Sequence, residues 1–276
     1  MTAETESYTA EILAWRARAE AGLRAEDGWL ALVGLFWLQE GENTVGSAPS
    51  SAVRLPESAA AEVGQLLLRD GRVTLRVRPG VTAMLDGESV AERELRPDTD
   101  GPPDRVRIGD VALWVIVRGQ RVGVRVSDPD SPTRRDFGGR HWFPVDPAYR
   151  IPAHFEPYDP PKTLAITNIL GDTSDVASPG AVVFELDGQE HRLDASSLSE
   201  HGLFLVFRDR TSGGETYGAA RFLSAAPPQD GRLTLDFNRA VHPPCAFTEF
   251  ATCPLPPRQN HLPVRIAAGE RLGESE

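Results

Sequence analysis

Between Leu235 and Val264 the chain reads LDFNRAVHPPCAFTEFATCPLPPRQNHLPV, a stretch that gathers both cysteines and two of the six histidines. The order His242-x2-Cys245-x7-Cys253-x7-His261 invites three chemistries. A structural zinc site joins short steps such as Cys-x2-Cys and His-x3-5-His. One short step and two long gaps, flanked by Pro244 and Pro254, fit that poorly, so no metal and no cofactor is expected. A disulfide could close across seven residues. A nucleophilic thiol at Cys245 would need a base or cation to hold thiolate, and His242 is three residues away. The plainest reading makes Cys245 and Cys253 small buried side chains of a proline-stiffened lid.

A second stretch, FRDRTSGGETYGAARFL (207–223), is read as a hairpin turning at Thr211-Ser212-Gly213-Gly214. On a strand, Glu215, Tyr217, Ala219 and Arg221 share one face. An acid, a phenol and an arginine beside small residues suit a pocket wall for an anionic or hydroxylated ligand. The same residues suit a buried polar network, with Arg221 paired to Glu215 or Asp209. Both readings stay open at this point. Lys162 is the one lysine among 29 basic residues, and lysine offers a compact, titratable ammonium that arginine cannot imitate. Desolvated, it would become a base. No G-x-S-x-G elbow occurs, so a serine hydrolase sheet is not expected.

These residues need elements to hold them. Tyr8, Ile12, Trp15, Ala19 and Leu23 recur at helical spacing, and Gly28 is read as the stop. WLALVGLFWL (29–38) is apolar but about half the ~20 residues that span a bilayer, so it should be buried. From Thr44 the pattern alternates with period two through 71–77, 105–109, 111–117 and 121–126, with Gly-containing turns between, which argues for a β-sandwich. Residues 128–162 are rich in proline and read as a crossing, where Trp142, Phe143 and Tyr149 pack. Alternation returns at 163–168, at 181–195 around Asp187-Gly188, and at 202–209, 215–223, 231–237 and 262–269. The fold expected is mainly β: an N-terminal helix and buried segment (1–40), a sandwich (41–127), the crossing (128–162), and a second β-sandwich or barrel-like domain (163–276).

Two resemblances follow from these motifs. The first half, from NTVGS through LDGESV to RVRIGDVALWVIV, resembles a forkhead-associated (FHA) domain. The residues that grip phosphothreonine in that family are absent here. Gly-Arg becomes Gly46-Ser47, Ser-x-x-His is missing from SAAAEVGQ, and Asn-Gly becomes Asp86-Gly87. The resemblance therefore implies the sandwich without phosphopeptide binding. The whole chain also resembles the bacterial DUF1684 family, through GWLALVGLFWLQEGENTVGS, PYDPPKTLAITNILG, FRDRTSGGETYGAARFL and the Cys245–Cys253 segment. That resemblance implies a lysine in the PKT step. The family's Asn-Pro before the first cysteine is His242-Pro243 here, which implies that His242 is not an obligatory ligand.

A net charge of -11 disfavours nucleic acid and anionic membranes, both of which reward Lys/Arg clusters. The acidic N-terminal stretch lacks an apolar signal core, so a cytoplasmic protein with reduced thiols is expected. The function expected is binding of a small polar or anionic molecule in the C-terminal β domain, lined by Lys162, Glu215, Tyr217, Arg221, Asp236, Asn238, His242 and Asn260. The alternatives are a thiol- or lysine-dependent hydrolase or transferase using Cys245 or Lys162, and a scaffold without chemistry.

Overall fold

Alternating apolar and polar residues build two separate β cores. A computed structural model describes residues 3–273. By its internal contacts the chain divides into two units, Leu23–Phe137 and a discontinuous one that joins the residues up to Gly22 to those from Gly138 on. The chain is mainly β with one N-terminal helix, α1 (Ala3–Leu23). No described helix is long and apolar enough to cross a membrane.

The first unit holds β1 (Leu32–Trp37), β2 (Gly41–Gly46), β3 (Val53–Arg54), β4 (Gly64–Arg69), β5 (Arg72–Val77), β6 (Met84–Leu85), β7 (Glu88–Ser89), β8 (Glu92–Leu95), β9 (Val106–Ile108), β10 (Val111–Arg118) and β11 (Arg121–Ser127). They form a five-stranded sheet, β3-β2-β4-β5-β8, and a six-stranded sheet, β1-β11-β10-β9-β6-β7. Leu66 and Leu75 of the first share one core with Leu113 and Val124 of the second, as a sandwich requires. The apolar run at 29–38 becomes a 3-10 turn, Trp29–Ala31, followed by β1, which pairs with β11.

The second unit holds β12 (His141–Trp142), β13 (Arg150–Thr167), β14 (Thr173–Leu186), β15 (Gln189–Asp194), β16 (Ser197–Ser199), β17 (Gly202–Phe207), β18 (Arg221–Ala225), β19 (Arg232–Asp236) and β20 (Glu270–Arg271). A four-stranded sheet, β15-β14-β13-β19, and a three-stranded sheet, β16-β17-β18, enclose Val182, Phe184, Leu193, Leu205, Leu223 and Phe237. No sheet closes into a barrel among the described residues. The β14–β15 hairpin turns at Asp187 (φ 55) and Gly188 (φ 71), the positive-φ pair that a two-residue hairpin needs. Helix α1 turns Tyr8, Ile12 and Arg16 inward at i, i+4 spacing. Ile12 is fully buried, a contribution of about 1.5–3 kcal/mol.

Three segments differ from the sequence expectation. Strand β13 begins at Arg150, well inside the proline-rich crossing. Pro160 and Pro161 are tolerated because the ladder to β14 breaks register between Pro157 and Lys162, where no paired N–H is demanded. Residues 215–220 are not strand; β18 starts only at Arg221. Residues 262–269 form no strand; backbone bonds from Leu262 N to Arg208 O (2.8 Å) and from Arg210 N to Val264 O (2.8 Å) hold them, together with the side chains of Asp209 and Arg221.

Candidate functional site

The site is built where the turn after β17 meets the loop after β19. Asp209 shapes that turn: its Oδ1 accepts from Thr211 N at 2.9 Å and from the Thr211 hydroxyl. Thr211 O in turn accepts from Glu215 N (2.9 Å) and Thr216 N (3.0 Å). This local closure replaces the expected strand, because short polar side chains offer the backbone partners of their own. Glu215, Tyr217 and Arg221 therefore do not share a strand face. Glu215 points outward to Arg265, whose Nε donates at 2.9 Å. Arg221 is fully buried, donating to Asp209 Oδ2 at 2.8 Å, to Ile266 O at 3.0 Å and to Ala268 O. Of the two readings of Arg221, the structure has the buried network, with Asp209 as the partner.

Tyr217 turns toward the cysteine loop. Its hydroxyl donates to Cys245 O at 3.1 Å, and its N–H donates to His242 Nε2 at 3.1 Å. The His242 lone pair is thereby committed to the backbone. Burial, with Arg221 and Arg140 nearby, drives the imidazole down to about 3, so it stands neutral. Behind it lies Glu270, whose Oε2 accepts from His242 N at 2.7 Å and from Arg140 at 3.1 Å. Gly269 (φ +81) makes this placement possible: a Cβ there would lie 2.4 Å from Ala240 O, so only glycine lets the chain pass and deliver Glu270. Burial raises the Glu270 carboxyl to about 7 despite Arg140, and burial also lowers Arg140. Desolvation outweighs attraction in this pair.

Cys245 is half-buried and Cys253 buried, and no disulfide joins them. Cys245 N donates to Cys253 Sγ at 3.3 Å. The neighbouring Cys253 first, and then Tyr217, favour the Cys245 thiolate and outweigh burial, lowering the thiol to about 7. Burial, then the neighbouring Cys245, pushes the Tyr217 phenol up to about 12, so it remains a donor.

The other candidates lie in different clusters. Lys162 Nζ donates to Asp194 Oδ2 at 2.9 Å, beside the Tyr158 hydroxyl (2.7 Å, on Oδ1) and Gln259 (2.9 Å). The Asp194 hydrogen bond raises the ammonium. On Asp194 burial pushes the carboxyl up, but Lys162, Tyr158 and Gln259 prevail and hold it low. Asn260 is fully buried and structural, accepting from Asp194 N (2.8 Å) and donating to Asp194 O (2.9 Å) and Val206 O (2.8 Å). Asp236 and Asn238 pin α1: Tyr8 donates to Asp236 Oδ1 at 2.8 Å, and Asn238 donates to the Tyr8 oxygen at 2.9 Å. Lys162 is 47% exposed at its side chain. Lys162→Arg should therefore change stability by less than about 1 kcal/mol in urea denaturation, and Asp194→Ala should cost clearly more.

The structure thus brings together Tyr217, His242, Cys245 and Cys253. It adds Glu270 and Arg140, which the sequence reading did not single out. Only the Gly269-Glu270 step could have marked Glu270, as a glycine followed by an acid beyond the last apolar run. Among the described residues, no three of His, Cys, Asp and Glu gather to hold a metal.

Comparison with known proteins gives a family without a stated activity. None of the curated proteins matches. The solution NMR structure of an uncharacterized protein from Haloarcula marismortui is 33% identical, covers 54% of this chain and 85% of that chain, and has a TM-score of 0.44. A structure from work on phosphothreonine-dependent FHA domain interactions is 18% identical, covers 34% of this chain and 92% of that chain, and has a TM-score of 0.24. A family model described as "Protein of unknown function (DUF1684)" matches residues 135–271, a span that contains the whole Tyr217–Cys253 cluster. Through that span the chain belongs to the DUF1684 family.

Proposed function

We propose that Cys245 and Cys253 form a working dithiol that exchanges with disulfide-bonded substrates. The observation that carries this reading is the contact between the two cysteines: Cys245 N donates to Cys253 Sγ at 3.3 Å, the Tyr217 hydroxyl closes on Cys245 O at 3.1 Å, and Cys253 beside it helps to hold the Cys245 thiol down to about 7. Thiolate is the nucleophile in such chemistry. The Cys245 sulfur attacks one sulfur of the substrate disulfide; the S–S bond breaks and the other half leaves as a thiolate that takes a proton. Cys253 then loses its proton and attacks the Cys245 sulfur of the mixed disulfide, releasing the second half as a thiol. The substrate disulfide is reduced by two electrons while the Cys245–Cys253 pair is oxidised.

The geometry favours exchange over the other chemistries weighed for this loop. A Cys–His hydrolase needs an imidazole free to take a proton, and His242 Nε2 accepts from Tyr217 N instead. A lysine base needs a lowered ammonium, and Lys162 is raised by Asp194. The anionic pocket expected around Lys162 and Arg221 finds each cation already bound to its own carboxylate.

The test is alkylation with iodoacetamide across pH, read by mass spectrometry. Cys245 should label first, with a midpoint near its lowered value of about 7, and Tyr217→Phe should shift that midpoint upward. Treated with 5,5′-dithiobis(2-nitrobenzoate), the protein should end with an internal disulfide and no retained label, whereas Cys253→Ala should retain the label on Cys245. Two retained labels in the unchanged protein, or Cys245 reacting no faster than a free thiol at neutral pH, would refute the dithiol.

A further inference from the structure

A cavity of about 530 Å³ in the second unit is lined by Thr9, Leu13 and Arg16 of α1 and by Trp142, Phe143, Pro144, Val145 and Arg271. Its volume is within the range of small-molecule sites. In a chain of net charge -11, this wall holds two arginines and no carboxylate.

Arg16 is the unusual member. It is only 7% exposed, yet its hydrogen-bond partners are uncharged: Phe143 O at 3.0 Å and Asn238 O at 3.5 Å. The face of Trp142 lies 4.7 Å from its guanidinium carbon. Its Nε–H is buried without an acceptor. The nearest carboxylate that acts on it, Asp236, is already engaged by Tyr8, Asn238 and Arg239. A guanidinium taken out of water without a counter-charge is costly, and the pairing it suits best is the planar fork of a carboxylate. On the same helix face, one turn earlier, Leu13 is 54% exposed, although a large aliphatic side chain gains by being covered. The wall is thus cationic at one place and apolar around it.

We infer that this cavity binds a small carboxylate carried on an aromatic or aliphatic body, with the carboxylate at Arg16 and the apolar part against Leu13, Trp142 and Phe143. The site stands apart from the dithiol reading and uses none of its residues.

Isothermal titration with phenylacetate and hexanoate, each against its neutral amide, tests the assignment. The acids should bind about tenfold or more tightly than the amides. Arg16→Met should abolish acid binding. Because Arg16 also clamps the helix, the surface change Leu13→Glu is the safer variant, and it should weaken the acids by about tenfold by repulsion. Equal affinity for acid and amide, no heat from either acid at millimolar concentration, or wild-type binding by the folded Leu13→Glu variant would overturn it.

Discussion

Replacing Asp209 by alanine is expected to destabilise the second unit by about 3–5 kcal/mol, the loss typical of a buried ion pair from which one partner is removed. Arg221 and the Asp209 side chain are both 0% exposed. Burial already lowers the Arg221 guanidinium against the pull of Asp209. Without that carboxylate the charge would stand in the core with only the carbonyls of Ile266 and Ala268. Thr211 N and Ile266 N would lose their acceptor as well. Domains hold only about 5–15 kcal/mol in total, so the variant should lose most of its urea resistance. The double variant Asp209→Leu with Arg221→Met should recover part of the loss, since it removes both charges, but not all, because the freed carbonyls and amides stay buried. A single-variant loss below about 1 kcal/mol in urea denaturation would mean that water reaches the pair and that it is not the weld it looks like.

The same pair shows what the sequence could reveal and where it stopped. Strands whose partners follow directly were legible: β10 and β11 are neighbours through one short turn, and β14 and β15 meet at Asp187-Gly188, so alternation and turn chemistry sufficed. The face of α1 was legible from the spacing of Tyr8 and Ile12. The segment 215–220 was not. Its alternation imitates a strand, but Asp209, Thr211 and Thr216 satisfy the backbone locally, and tertiary demand from Arg221 decides the outcome. Residues 262–269 failed in a similar way, since isolated backbone bonds to Arg208 and Arg210 and the side chains of Asp209 and Arg221 take the place of a continuous ladder. At the site, Tyr217, His242, Cys245 and Cys253 stood out by type and spacing. Arg140 and Glu270 did not, because their pairing spans 130 positions along the chain and follows from the β12–β20 bridge, a two-residue ladder that no periodicity announces.

Stability between pH 4.5 and 6.5 is expected to be nearly flat in the share that His242 and Glu270 contribute, because the two titrate against each other. Glu270 takes its proton at about 7 in the folded chain and near 4.5 when unfolded. Over that window the folded state holds more protons, so lowering the pH stabilises it, by up to about 3 kcal/mol. His242 takes its proton near 6.5 when unfolded and only at about 3 when folded. There the unfolded state holds more protons, so lowering the pH destabilises, by up to about 5 kcal/mol. The terms oppose where the windows overlap, and below 4.5 only the histidine loss continues. Glu270→Gln keeps an acceptor for His242 N and Arg140 but cannot titrate, so its stability should begin to fall at pH 6.5, well before that of the unchanged protein. His242→Phe should do the reverse and resist acid, after a pH-independent cost of about 1–3 kcal/mol for the orphaned Tyr217 N–H. Carboxylates held low by their partners, such as Asp194, are common to all three proteins and cancel in the differences. Urea denaturation at half-unit pH steps measures the three curves. If Glu270→Gln ran parallel to the unchanged protein from pH 7 to 4.5, the carboxyl behind His242 would be ionised across that range and the coupling argued here would not exist.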